Sequence, residues 1–225
     1  MIPIRDAVPA HTRPAVTLTL VATSAAVMIL LSLMPAGFIG ALVIAEGSGG
    51  NSTAASPEWL WTLLSLVRPT GWFQGVTCAV ALWIFGPTVE DRVGHGRFVV
   101  LYVGCAATAA LAVALVGAIA PTTVDLFPGA VGGVVGAHAA LYPRARTLVL
   151  IPATRGIDVD TVPAVLLAAF WVVFQMASSI GAHELWPAWT PRLALLQLTV
   201  GIVAGAAAVI VLRRPERMRV EWWNR

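Results

Sequence analysis

The chain has 225 residues, of which 58% are hydrophobic and only 11% charged, with a mean hydropathy of +0.84. That much apolar surface exceeds what a water-soluble domain of this length can bury, which excludes an aqueous globular fold and leaves a polytopic membrane protein. The formal net charge is +3, and all 14 basic residues are arginine, so their distribution along the chain reports topology rather than nucleic-acid binding.

Runs of about 20 apolar residues mark transmembrane helices. Six are predicted, at about 15–42, 72–89, 97–119, 129–142, 162–181 and 193–212. The expected fold is all-α: a leader at 1–14, a six-helix membrane domain at 15–212 and a basic tail at 213–225. The first run follows Arg5 and Arg13 and far outlasts the core of a signal peptide, so it is expected to remain as an anchor.

The loop at 46–71 opens with a flexible stretch, Gly47 to Thr53, which contains the sequon Asn51-Ser52-Thr53. It continues with Trp59, Trp61 and Trp72 among leucines, a pattern suited to the headgroup region. Cys78 and Cys105 both fall within predicted spans, where a buried apolar thiol is the usual role. With no CxxC and no His/Cys cluster, neither a disulfide framework nor a metal or cofactor is expected.

The fourth span, Gly129 to Tyr142, would extend about 21 Å, too short for a hydrocarbon core of about 30 Å. It must start inside the membrane, which requires the preceding loop, Pro121 to Phe127, to be buried in protein or to line an aqueous pocket. Gly129, Gly132, Gly133 and Gly136, with Gly201 and Gly205 on the sixth span, are the expected packing positions, because small residues let helix backbones approach closely.

With the N-terminus inside, twelve arginines fall in cytoplasmic segments and only Arg68 and Arg192 on the opposite side. The positive-inside rule then gives a cell-membrane protein with both termini cytoplasmic. The cluster from Arg213 to Arg225, with Trp222 and Trp223, reads as a stop-transfer tail whose partner is membrane lipid, not nucleic acid.

Two segments carry a family resemblance. The stretch Leu82-Trp83-Ile84-Phe85-Gly86-Pro87-Thr88-Val89-Glu90-Asp91-Arg92-Val93-Gly94-His95 resembles the boundary between the second and third membrane helices of rhomboid intramembrane proteases. Leu126-Phe127-Pro128-Gly129-Ala130-Val131-Gly132-Gly133-Val134-Val135-Gly136-Ala137-His138, followed by Tyr142-Pro143-Arg144, is similar to the family's Gly-x-Ser-Gly helix and its Tyr-Pro end. Pro3-Ile4-Arg5-Asp6 resembles the leader of many bacterial members. The resemblance implies a serine and histidine dyad in active relatives, with an imidazole on the sixth span taking the hydroxyl proton.

In this sequence the nucleophile position is Pro128 and the base position is Leu198. The second span's His-x-x-x-Asn, which helps stabilise the oxyanion, is replaced by Gln74 and Cys78. No serine occurs from Leu66 to Ala177 and no histidine after His183, so no register shift restores the dyad. Thr122, Thr123 and Thr199 are hydroxyls near these helices, read as turn or backbone hydrogen-bonding groups. A dyad of Cys78 and His138 is opposed by the position of His138, ten residues, about 15 Å, beyond Pro128. His95 and His11 read as surface residues.

The resemblance thus implies a rhomboid-like pseudoprotease that binds transmembrane segments of client proteins without cleaving them. Alternatives are an intramembrane serine-type endopeptidase working by another mechanism, and a small-solute transporter or channel; the latter lacks the paired intramembrane acids or bases of an ion path. The family's substrate gate lies between the second and fifth spans, so a client is expected near Trp72–Ala81 and Pro163–Gln175, with Gln175 read as a packing contact. The sequence singles out no client-contacting residue and no oligomeric state. Substituted-cysteine labelling from either side checks the topology: positions 51 and 184 should label from outside, and 94, 156 and 224 from inside. Exterior-only labelling at 156 would overturn the six-span arrangement.

Overall fold

The computed structural model describes residues 2–6, 13–34, 64–68, 72–116, 126–153, 156–183 and 191–213. Among them are six long helices: α1 (Ala15–Leu33), α2 (Trp72–Val93), α3 (His95–Val116), α4 (Leu126–Leu141), α5 (Ala164–His183) and α6 (Pro191–Leu212). Strands β1 (Ile2–Asp6), β2 (Arg146–Ala153) and β3 (Gly156–Pro163) complete the order. α1, α2, α3 and the Leu195–Leu212 part of α6 are long and apolar enough to cross a membrane, and α4 and the Ala164–Ala177 part of α5 are shorter apolar helices. The membrane domain is an all-α bundle. Its outer surface carries exposed Leu30, Trp83, Val100, Leu115, Phe170 and Val203, the apolar exterior that a bilayer requires.

α4 is the axis of the bundle. Every residue from Leu126 to His138 is buried, as in a helix apolar on all sides and surrounded by others. α6, α3, α2 and α5 all pack against it. α3 instead buries one stripe, Phe98, Leu101, Tyr102, Cys105, Ala109 and Val113, and turns Val99, Val103 and Leu111 outward. The Tyr102 hydroxyl leaves this stripe to donate to the Leu66 carbonyl at 2.8 Å, tying the 64–68 segment to the bundle.

α1 has no capping side chain of its own, since Pro14 stands at its N-cap. Glu90, fully buried near the end of α2, supplies the cap. Its carboxylate accepts from the Val16 N–H at 2.9 Å, the Thr17 N–H at 2.8 Å and the Thr17 hydroxyl at 2.6 Å. A carboxylate is well placed at a helix N-terminus, where unpaired N–H groups and the helix dipole favour negative charge. Gly86 on α2 lets the helices close: a Cβ there would lie 2.5 Å from Thr17 Cγ2. The Glu90 backbone carbonyl accepts from the N–H of Gly94 at 2.7 Å, and Gly94, at φ 90°, is the left-handed residue that ends α2 and starts α3.

Three differences from the sequence reading have physical reasons. His95, read as a partnerless surface residue, is half-exposed but places Nδ1 2.5 Å from Glu90 Oε1, covering the buried carboxylate. α4 starts at Leu126 rather than Gly129, so Pro128 is its third residue rather than the one before its start. A proline is tolerated there because the first four N–H groups have no intrahelical acceptor in any case.

The third difference is the sheet, at positions read as leader and short turns. β2 pairs antiparallel with β3 from Arg146↔Pro163 to Ala153↔Gly156, and with β1 from Thr147↔Asp6 to Leu150↔Ile2, with an irregularity between Pro3 and Arg5. Pro152 obscured the strand in the sequence. It lies beyond Leu150, the last residue paired with β1, where among the described residues one side of β2 has no strand partner and the missing N–H breaks no ladder bond. The expected first span beyond Met34, most of the 46–71 loop, Thr122, Thr123, His11 and the 214–225 tail lie outside the described residues.

Glu90→Ala removes the cap and leaves two N–H groups without an acceptor, and should destabilise the protein by about 1–3 kcal/mol. Thermal unfolding in detergent measures this. Adding Thr17→Val should cost little more, because both changes remove the same contact; additive losses would contradict the capping arrangement.

Candidate functional site

The first turn of α4 and the facing part of α6 define the site. Leu126, Phe127, Pro128 and Gly129 are all buried, and α6 presents Gln197 and Leu198, exposed 0% and 2%. Gly129 brings α6 close: a Cβ on it would lie 3.3 Å from Gln197 Cγ and 3.4 Å from its Nε2, and 2.7 Å from Ala109 Cβ on α3. A Cβ on Gly132, nearly one turn further along, would meet Leu198 Cδ1 at 3.3 Å. The side chains gathered here are thus a proline ring, a leucine and the amide of Gln197. Sequence reasoning passed over Gln197, although an uncharged polar residue within an apolar span was the available signal.

The two helices hold this register by backbone contact. A Cβ on Gly201 would overlap the Gly129 carbonyl, one on Gly205 the Gly133 carbonyl, and one on Gly136 the Ile202 carbonyl, all closer than real Cβ atoms approach. Gly133 is closed from another side by Cys105 on α3. No side chain fits at these positions without the backbones separating.

Gln74 and Cys78 are buried on α2. Cys78 is engaged across the bundle: the Gln175 amide on α5 donates to its Sγ at 3.2 Å and to Thr77 Oγ1 at 2.9 Å. The same two helices meet through a Phe73–Phe174 stack with centroids 5.4 Å apart. His138 is occupied elsewhere, with its ring 4.8 Å from Phe85 and 5.5 Å from Tyr142. Cys78 and His138 therefore serve separate contacts. Thr199 is exposed and donates back to the Leu195 carbonyl at 2.8 Å, the backbone role expected of it. Among the described residues, no three His, Cys, Asp or Glu side chains gather as a metal-ligand group.

The rhomboid domain model matches residues 57–215, most of the chain and all of α2 to α6. The chain belongs to the rhomboid family. Comparison with curated proteins and with solved structures returned no match. In this rhomboid-family membrane protein, Pro128 stands in the first turn of the central helix α4 and Leu198 on the facing helix α6.

Gly201→Leu, which drives into the α4 backbone, and Gly133→Leu, which drives into Cys105 on α3, should each lower thermal stability by at least the roughly 1–3 kcal/mol of ordinary overpacking. Pro128→Ala should change it little. Unfolding in detergent micelles separates the two groups; a harmless Gly201→Leu would refute the α4–α6 contact.

Proposed function

We propose that the protein is a rhomboid-family pseudoprotease, a multi-pass membrane scaffold that holds transmembrane segments of other proteins without cutting them. The observation that carries this reading is the pair of side chains at the α4–α6 junction. A proline ring has no nucleophile, and a leucine neither takes nor returns a proton, so both halves of nucleophilic catalysis are missing. No serine between Leu66 and Ala177 and no histidine after His183 could replace them.

The α2–α5 seam is the proposed client contact. From Ala164 to Ala177, α5 buries only Ala164, Trp171 and Gln175, which makes it a lightly embedded helix. Its contacts with α2 include an amide latch and an aromatic stack. A second transmembrane helix that displaced them would find a face already shaped for helix packing. The twelve arginines assigned to one side support an orientation with both termini cytoplasmic.

Purified protein in lipid should neither label with a fluorophosphonate probe nor cut model transmembrane substrates. Pro128→Ser alone should remain inactive, since Leu198 supplies no base; the double change with Leu198→His is the minimal restoration. Reproducible cleavage by the native chain, abolished by a point change within it, would overturn the pseudoprotease reading.

A further inference from the structure

The α2–α5 seam holds more hydrogen-bonding capacity than the closed bundle uses. Trp171 and Gln175 lie four residues apart on α5, hence on one face and one turn from each other. They are 6% and 3% exposed. Gln175 reaches α2 through Thr77 and Cys78. The indole N–H of Trp171 is fully buried and meets no acceptor among the described residues. Buried indole N–H groups ordinarily find a partner, and within a bilayer core no water compensates for a missing one.

We propose that Trp171 Nε1 is the specificity-determining donor of this seam, and that it selects a partner transmembrane helix carrying a side-chain oxygen acceptor, that of Asn, Gln, Ser or Thr, at the depth of α5's first two turns. The proposal rests on the reading of the seam as a client contact. Entry of a helix parts α2 from α5 and breaks the bonds from Gln175 to Thr77 and Cys78. The Gln175 amide, with two donor hydrogens and an acceptor oxygen, re-pairs with the incoming polar side chain. Trp171 gains the bond it lacks in the closed state. A wholly apolar helix breaks the same latch and satisfies neither group, so the seam discriminates between the two by hydrogen bonding rather than by hydrophobicity, which lipid tails would match.

The test uses the full chain in phosphatidylcholine vesicles with two fluorescent peptides of about 20 leucines and alanines, identical except for Asn or Leu at the matching depth. Energy transfer should report tighter binding of the Asn peptide by roughly 3- to 18-fold, the range that intramembrane hydrogen bonds span. Trp171→Phe should keep binding of the Leu peptide and lose the preference. Benzothienylalanine at 171, which exchanges the N–H for sulfur and preserves ring shape, should do the same even if the phenylalanine variant packs poorly. Gln175→Met, which removes the latch, should strengthen binding of both peptides and retain a preference for Asn. Equal binding of both peptides by the native chain would overturn the role of Trp171 while leaving the client-binding reading intact. A preference that survives both changes at 171 would also overturn it. If neither peptide bound, both readings would fall together.

Discussion

Two backbones touch at the centre of this protein, and the rest of the bundle is arranged around that contact. Lipid tails are as apolar as leucine, so no hydrophobic gain pulls helices together inside a bilayer; close packing and hydrogen bonding must do it. α4 and α6 meet this requirement with glycines that face carbonyls on the opposite helix, Gly201 to Gly129 and Gly205 to Gly133, with Gly136 against Ile202 in the reverse sense. Because contact is made by backbone, it fixes the axial register of the two helices more firmly than exchangeable side chains would. The neighbours at the first turn of α4, Gln197 and Leu198, follow from that register.

The second constraint is that every polar group inside a membrane must find its partner within the protein. Glu90 shows how strictly this is met. Its side chain ends α1 from a position 73 residues away, its carbonyl accepts from Gly94 to end α2, and His95 closes over it from the start of α3. One residue thus joins the ends of three helices. α5 meets α2 differently, through an amide latch and an aromatic stack, and among the described residues its Trp171 indole N–H has no acceptor. The bundle is therefore uneven, with a core locked by backbone contact and one helix fastened to α2 by side chains.

The helices were legible because each is a long apolar run bounded by arginines, prolines or polar turns, and the glycines were readable as small positions on α4 and α6. Which carbonyl each glycine faces was not, since that depends on axial register. Glu90 was visible in the motif that signalled the family, but its role as a cap for α1 was not, because the acceptor and its donors are far apart in sequence. His95 was misjudged for a different reason: its partner is only five residues away, but the sequence does not show that the turn at Gly94 folds the imidazole back over a buried carboxylate. The sheet was hidden by its own chemistry: Leu148 to Ile151 is too short an apolar run to distinguish from a buried turn, and Pro152 argues against a strand unless one edge is known to be open. Gln197 was hard to read because a single amide in a long apolar run carries no periodic signal of what it faces.

Pro128 and Leu198 suit the fold for reasons that differ. Pro128 sits in the first turn of α4, where a missing N–H removes no helical bond and where the ring's fixed φ suits the helix. Leu198 lies against Gly132, and a branched apolar side chain fills the space left by an absent Cβ. Both residues are therefore good packing choices at buried positions on helices that must stay in contact, and neither needs a polar partner inside the membrane. A serine and a histidine in the same places would require one, each to the other or to water. Proline and leucine carry no such requirement, so the α4–α6 contact is free to be as tight as its glycines allow.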